Sequence, residues 1–96
     1  YWIAFTLRPH GDVVLDHGAC DAVLTKKRSV LAVGVLGVRG DFRPGDAVRV
    51  LDGEGKELGR GLVRQGAEQL ALIAGKKTAG DEDGVVVHKD DLVIFT

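Results

Sequence analysis

Methionine is absent from this chain of 96 residues, and cysteine occurs once. A single thiol cannot close an internal disulfide, so Cys20 fits a reducing compartment, and a cytoplasmic protein is expected. The missing methionine removes a natural start and predicts one domain, residues 1–96, excised from a longer protein. Aromatic residues make up only 5% of the chain, and most sit inside apolar runs. Readers of single-stranded nucleic acid stack bases on exposed rings, so such a platform is not expected here. Neither sign of charge dominates: 13 basic residues face 14 acidic ones, for a net charge of −1. A dedicated nucleic-acid binder is usually basic overall or on one face. No apolar run approaches the roughly 20 residues that span a bilayer, so no membrane partner is expected.

Glycine, by contrast, is abundant: 14 residues scattered among apolar runs. That pattern implies tight turns and close backbone approaches, as in a small barrel, rather than disorder. At 45% hydrophobic and 28% charged, the composition is that of an ordinary globular domain.

The organising stretch runs from Ser29 to Val63. Ser29–Gly34 leads into a strand at Val35–Arg39. Gly40–Asp46 then reverses the chain, with Pro44 fixing φ and Gly45 tolerating positive φ. A second strand follows at Ala47–Leu51. Asp52–Lys56 contains Asp-Gly, a strong hairpin signal, and leads to a third strand at Glu57–Arg64. Before this stretch, Tyr1–Leu7 reads as a linker end or edge strand, and Val13–Leu15 as a short strand. Asp16 is placed to cap a helix from Gly18 to about Thr25. After it, Gly66–Ala74 shows an apolar helical face, with Gly75 as its stop. Lys76–Gly84 reads as a polar loop. Val85–Val87 and Leu92–Phe95 read as two strands around a turn at His88–Asp91.

The fold class is mixed α/β, mainly β: a small barrel of about six mostly antiparallel strands with two short helices over its open ends. The expected core is Val14, Leu15, Val23, Val48, Val50, Leu62, Leu70, Ile73, Val93 and Ile94.

Catalytic and metal-binding readings find little support in the spacing. His17 and Cys20 share a helix face, but a zinc site needs two further ligands, and no paired motif supplies them. Gly53/Gly55 and Gly59/Gly61 lack the pattern of a phosphate loop, and the second pair reads as close packing in a strand. Ser29 has no strand–turn–helix context for a nucleophile. Catalytic, cofactor-binding and metal-ligating residues are all expected to be none. The candidate contacts for RNA or a protein partner are the basic residues Lys26, Lys27, Arg28, Arg60 and Arg64. The competing reading is a solvated basic rim.

The central stretch, with Val38-x-Gly40-Asp41-Phe42, Gly45-Asp46-x-Val48-x-Val50 and Arg60-Gly61, resembles the PUA domain, a small β pseudo-barrel. The flanks Trp2-Ile3-Ala4, Val14-Leu15-Asp16, Ile73-Ala74-Gly75 and Val87–Leu92 make it most similar to the PUA domain that ends bacterial glutamate 5-kinases. The resemblance covers nearly the whole chain. It implies a parent enzyme that phosphorylates glutamate with ATP and Mg²⁺ in the first step of proline biosynthesis. Its catalytic residues lie in an N-terminal amino-acid-kinase domain, which is the implied partner. The resemblance further implies an assembly or regulatory role for the PUA domain with no cofactor of its own, and a homo-oligomer is compatible with that role. The rival reading is an RNA-binding PUA module of an RNA-modification or ribosome-associated protein.

Overall fold

The computed structural model describes residues 8–75 and 84–95. The readings of Tyr1–Leu7 and of most of the Lys76–Gly84 loop lie outside the described residues. Among the described residues, six strands and two α-helices follow in the order β1 (Gly11–Leu15), α1 (His17–Leu24), β2 (Val30–Leu31), β3 (Val35–Gly40), β4 (Ala47–Leu51), β5 (Glu57–Val63), α2 (Ala67–Ile73) and β6 (Val85–Ile94). One turn of 3₁₀-helix, Ala32–Gly34, joins β2 to β3.

All six strands form one sheet, ordered β2-β6-β5-β4-β1-β3. Its two edges, β2 and β3, are neighbours in sequence, separated only by Ala32–Gly34. Laid flat, six strands would put those edges roughly 24 Å apart, because adjacent strands sit about 4.8 Å apart. The four peptide steps from Leu31 to Val35 reach at most about 14 Å. The sheet must therefore curl until its edges approach, which makes the expected pseudo-barrel. Four of the strand pairings are antiparallel, and β1 with β4 is parallel.

Local chemistry accounts for the ends of the helices. Asp16 is extended, and its Oδ1 accepts from the Ala19 N–H at 2.7 Å, so α1 is capped by the residue expected. The helix begins one residue earlier than expected and ends at Leu24, which leaves Lys26, Lys27 and Arg28 beyond its last turn. Its packing contacts are with β1 and β2. The second helix ends before Gly75, whose φ of 77° lies in the left-handed region that suits glycine, as its reading as a stop requires. This helix packs on β3 and on the 3₁₀ turn, where the Gly75 N–H donates to the Ala32 carbonyl.

The core corrects the expected list in phase. Leu15, Val23, Val48, Val50 and Leu70 are buried as expected, and Ile73 and Ile94 pack half-buried against them. Val14, Leu62 and Val93 are only partly covered; their neighbours Val13, Val63 and Leu92 fill the interior instead. Each of the three misplaced residues lies in an unbroken apolar run, Val13–Leu15, Leu62–Val63 or Leu92–Phe95, so alternation gives no phase there. Phe42, assigned to a turn, is 2% exposed and is the largest fully buried side chain among the described residues. The Ala67 N–H donates to its carbonyl, which ties this loop to the start of α2.

The last two expected strands are one, Val85–Ile94. Val63 pairs with Val87 and Gly61 with Leu92, so the segment read as a turn is a bulge within a continuous strand. Ser29 fixes it from the far side, its Oγ accepting from the Lys89 N–H at 2.8 Å.

Candidate functional site

The glycine pair on β5 explains why β6 lies so close. A Cβ on Gly59 would run into the Val93 carbonyl, and one on Gly61 would approach the Asp91 carbonyl at 3.0 Å. These glycines are therefore used in strand packing, which favours that reading over a phosphate loop. Between them Arg60 projects from the opposite side of β5, because side chains alternate along a strand.

The five basic residues do not form one patch. Lys27 and Arg28 lie in the turn after α1, where the Arg28 N–H donates to the Ala22 carbonyl and Lys27 takes a φ of 52°. Together with Lys89 they rim a groove of about 350 Å³ between α1 and β6, floored by Val23, Leu24, Leu92 and Ile94. Lys26 is exposed in the same turn but is not among the groove's lining. Lys89 was missed from sequence because it sits in the β6 bulge, and only the register shift brings it beside α1. Arg64 is exposed just past β5, its N–H donating to the Val86 carbonyl.

Arg60 belongs to a different arrangement. It lies directly opposite Arg49 on β4; Arg49 is in turn opposite Asp12 on β1, and Asp12 opposite Arg39 on β3. These residues make a row across the outer face of the sheet. Arg49 Nε donates to Asp12 Oδ1 at 2.7 Å and Nη2 to Oδ2 at 3.0 Å. That two-point bond to Asp12 raises the Arg49 pKa further above its ordinary value. Arg60 Nε donates to Glu57 Oε2 at 2.8 Å, and its guanidinium sits 5.7 Å over the Phe95 ring.

A second groove, about 520 Å³, runs along the other flank of α1. Its floor includes Leu15, Cys20 and Leu58, and its rim carries Asp16, Asp21, Asp52 and Glu54. His17 and Cys20 both line it, yet no group of three or more metal-ligating side chains comes together among the described residues. Burial first, then the Asp52 and Asp16 carboxylates, push the Cys20 thiol up, the opposite of an activated nucleophile.

The sequence profile of the PUA domain matches residues 11–80. The chain is 43% identical over 93 residues to a glutamate 5-kinase of Synechococcus sp. (strain CC9605), covering 97% of this chain and 26% of that protein. It is 45% identical over 102 residues to a glutamate 5-kinase of Myxococcus xanthus (strain DK1622), covering 98% of this chain and 27% of that protein. The chain thus spans about a quarter of the length of the curated relatives it matches. Among solved structures, a PUA domain from Aeropyrum pernix K1, crystallised as a tartrate complex, superposes with a TM-score of 0.70 at 29% identity, covering 82% of this chain and 41% of that one. A chain of a Cbf5–Nop10–Gar1 complex superposes with a TM-score of 0.69 at 19% identity, covering 90% and 23%, and so shares the fold.

Proposed function

The chain belongs to the PUA domain family, and from that premise we propose that it serves as the non-catalytic PUA domain of a glutamate 5-kinase. The observation that carries this reading is the 38–46% identity to glutamate 5-kinases along nearly all of the chain. The parent would transfer phosphate from ATP, with Mg²⁺, to the γ-carboxylate of glutamate, in an amino-acid-kinase domain of the same chain. The present domain contributes to assembly or regulation in the cytoplasm. Two features favour that division of labour. The glycine pair that comes nearest to a phosphate loop is used to seat β6 against β5, and burial and neighbouring carboxylates push the lone thiol's pKa up, away from that of an activated nucleophile.

The test compares the full-length protein that carries this domain with a version lacking it. Glutamate phosphorylation by the full-length protein is expected, together with a change in assembly state or in inhibition by proline on deletion. Absence of glutamate phosphorylation overturns the kinase reading. Retention of rate, assembly state and inhibition after deletion overturns the assembly or regulatory role.

A second reading, an RNA-binding module, draws on the groove rimmed by Lys27, Arg28 and Lys89. The net charge of −1 counts against it. Binding of a structured RNA at physiological salt, weakened steeply by added salt and by Lys27→Ala with Arg28→Ala, would favour it over the first.

A further inference from the structure

We propose that Arg49 and Arg60, with His10 at the rim, form a site for a small oxyanion, a carboxylate or a phosphate, on the outer face of the sheet. The inference goes beyond the proposed function and does not depend on which enzyme carries the domain. It begins with a juxtaposition that is unfavourable on its own. Arg49 and Arg60 are direct cross-strand partners on one face, and like charges placed so repel. The fold fixes both rather than letting them part. Asp12 grips Arg49 from β1 through Nε and Nη2, and Glu57 grips Arg60 through Nε. Phe95 lies under the Arg60 guanidinium at 5.7 Å.

These contacts fix the two side chains without exhausting their donors. A guanidinium has five N–H groups. Among the described residues, hydrogen bonds take two of these from Arg49 and one from Arg60, so three and four remain there. Both oxygens of Asp12 are already engaged by Arg49, which mutes its repulsion of an incoming anion. Arg39, Arg49 and Arg60 lie with the carboxylates of Asp12 and Glu57, which leaves one positive charge in excess among these five side chains.

Beside this pair lies an open recess of about 360 Å³, lined by Pro9, His10, Gly11, Asp12, Arg49 and Arg60. The volume suits a small anion. Two guanidiniums lining one recess can each offer paired N–H groups to the oxygens of a carboxylate or phosphate, where a lysine would offer only a point charge. The recess contains a single arginine pair rather than a track of cations, so it suits one anionic group rather than a polymer backbone.

The test is an NMR titration of the 96-residue chain at constant ionic strength set with chloride, in two arms, sodium malonate and inorganic phosphate. The expected result is a saturable shift centred on His10, Asp12, Arg49 and Arg60 in at least one arm. The arm that saturates at lower concentration identifies the preferred oxyanion. Arg60→Gln should weaken that binding by about tenfold or more, the usual size of losing hydrogen bonds to a charged group. Should that variant fail to fold, Arg60→Lys keeps the charge and removes the fork, and is expected to weaken binding as well. Shifts that do not saturate, that sodium chloride reproduces, that survive both substitutions, or that fall on Lys27, Arg28 and Lys89 instead would each overturn the proposal.

Discussion

Arg49 on β4 holds Asp12 on β1 through two hydrogen bonds, across the sheet's parallel pairing, with the residues 37 apart in sequence. The Asp12 side chain is 12% exposed, whereas the Arg49 side chain is 44% exposed. The pair therefore has a covered carboxylate and a wet guanidinium, so its Coulombic gain is partly screened.

From that asymmetry, Asp12→Asn should cost about 1 kcal/mol, since a single hydrogen bond to a charged group is lost and water can serve Arg49 in its place. A double-mutant cycle with Arg49→Gln, read by urea melts, should give a coupling of about 0.5–1 kcal/mol that shrinks with added salt. A coupling that is zero at low salt would mean the two side chains do not act together in solution.

Gly59→Ala and Gly37→Ala make a paired test of strand packing. The first places a methyl against the Val93 carbonyl, which is backbone and cannot rotate away. Overpacking of that kind costs about 1–3 kcal/mol, and here the upper end or outright misfolding is expected. The second meets nothing within 4 Å and should change stability by less than about 0.5 kcal/mol. Equal effects in thermal melts would contradict the close approach of β5 and β6.

Val13 and Val14 test the phase of β1. Val13 is fully buried, whereas Val14 is partly covered. Val13→Ala is expected to cost about 2 kcal/mol through lost burial and a residual cavity, and Val14→Ala less than half of that. The reverse order in urea midpoints would place the strand in the other register.

Cys20 gives a pH test. Its pKa is raised by burial and by nearby carboxylates, so the folded state keeps the proton longer than the unfolded chain does. The sign follows: the stabilisation is fully present below the unfolded thiol's pKa and is lost as pH rises through the folded one. Cys20→Ala should reduce the alkaline loss of stability. Alkylation of Cys20 at neutral pH should be slower than that of the unfolded chain. Faster labelling in the folded state would contradict the raised pKa.

The features legible in sequence are those whose cause lies within a few residues. Asp16 caps α1 through the third residue onward, and Asp52 organises its turn by accepting from the Glu54 and Lys56 N–H groups, each at 2.9 Å. Gly75 stops α2 by its own φ. The strand–turn–strand unit from Val35 to Val63 was readable for the same reason. What could not be read were relationships between distant segments. The parallel pairing of β1 with β4 brings Asp12 to Arg49, and no local pattern encodes it. Arg60 was grouped with Lys26, Lys27 and Arg28 by charge, but alternation along β5 turns it to the outer face. Lys89 joined the groove only because the β6 bulge carries it there.

The position of β6 also sets the order in which the domain can be completed. It is last in chain order among the described strands, yet in space it stands between β2 and β5. Strands β1, β3, β4 and β5 can pair with one another while β6 is still being synthesised. The two residues of β2 have no strand beside them until it arrives, because Val30 and Leu31 pair with Val87 and Val85. During translation the half-made sheet therefore presents an open edge along β5 and leaves Val30 uncovered, the kind of surface that invites mispairing. Closure comes only when the final strand inserts. Folding here is governed by long-range pairing, and a ribosome-bound chain stopped before Val85 should expose an adhesive sheet edge that the finished domain hides.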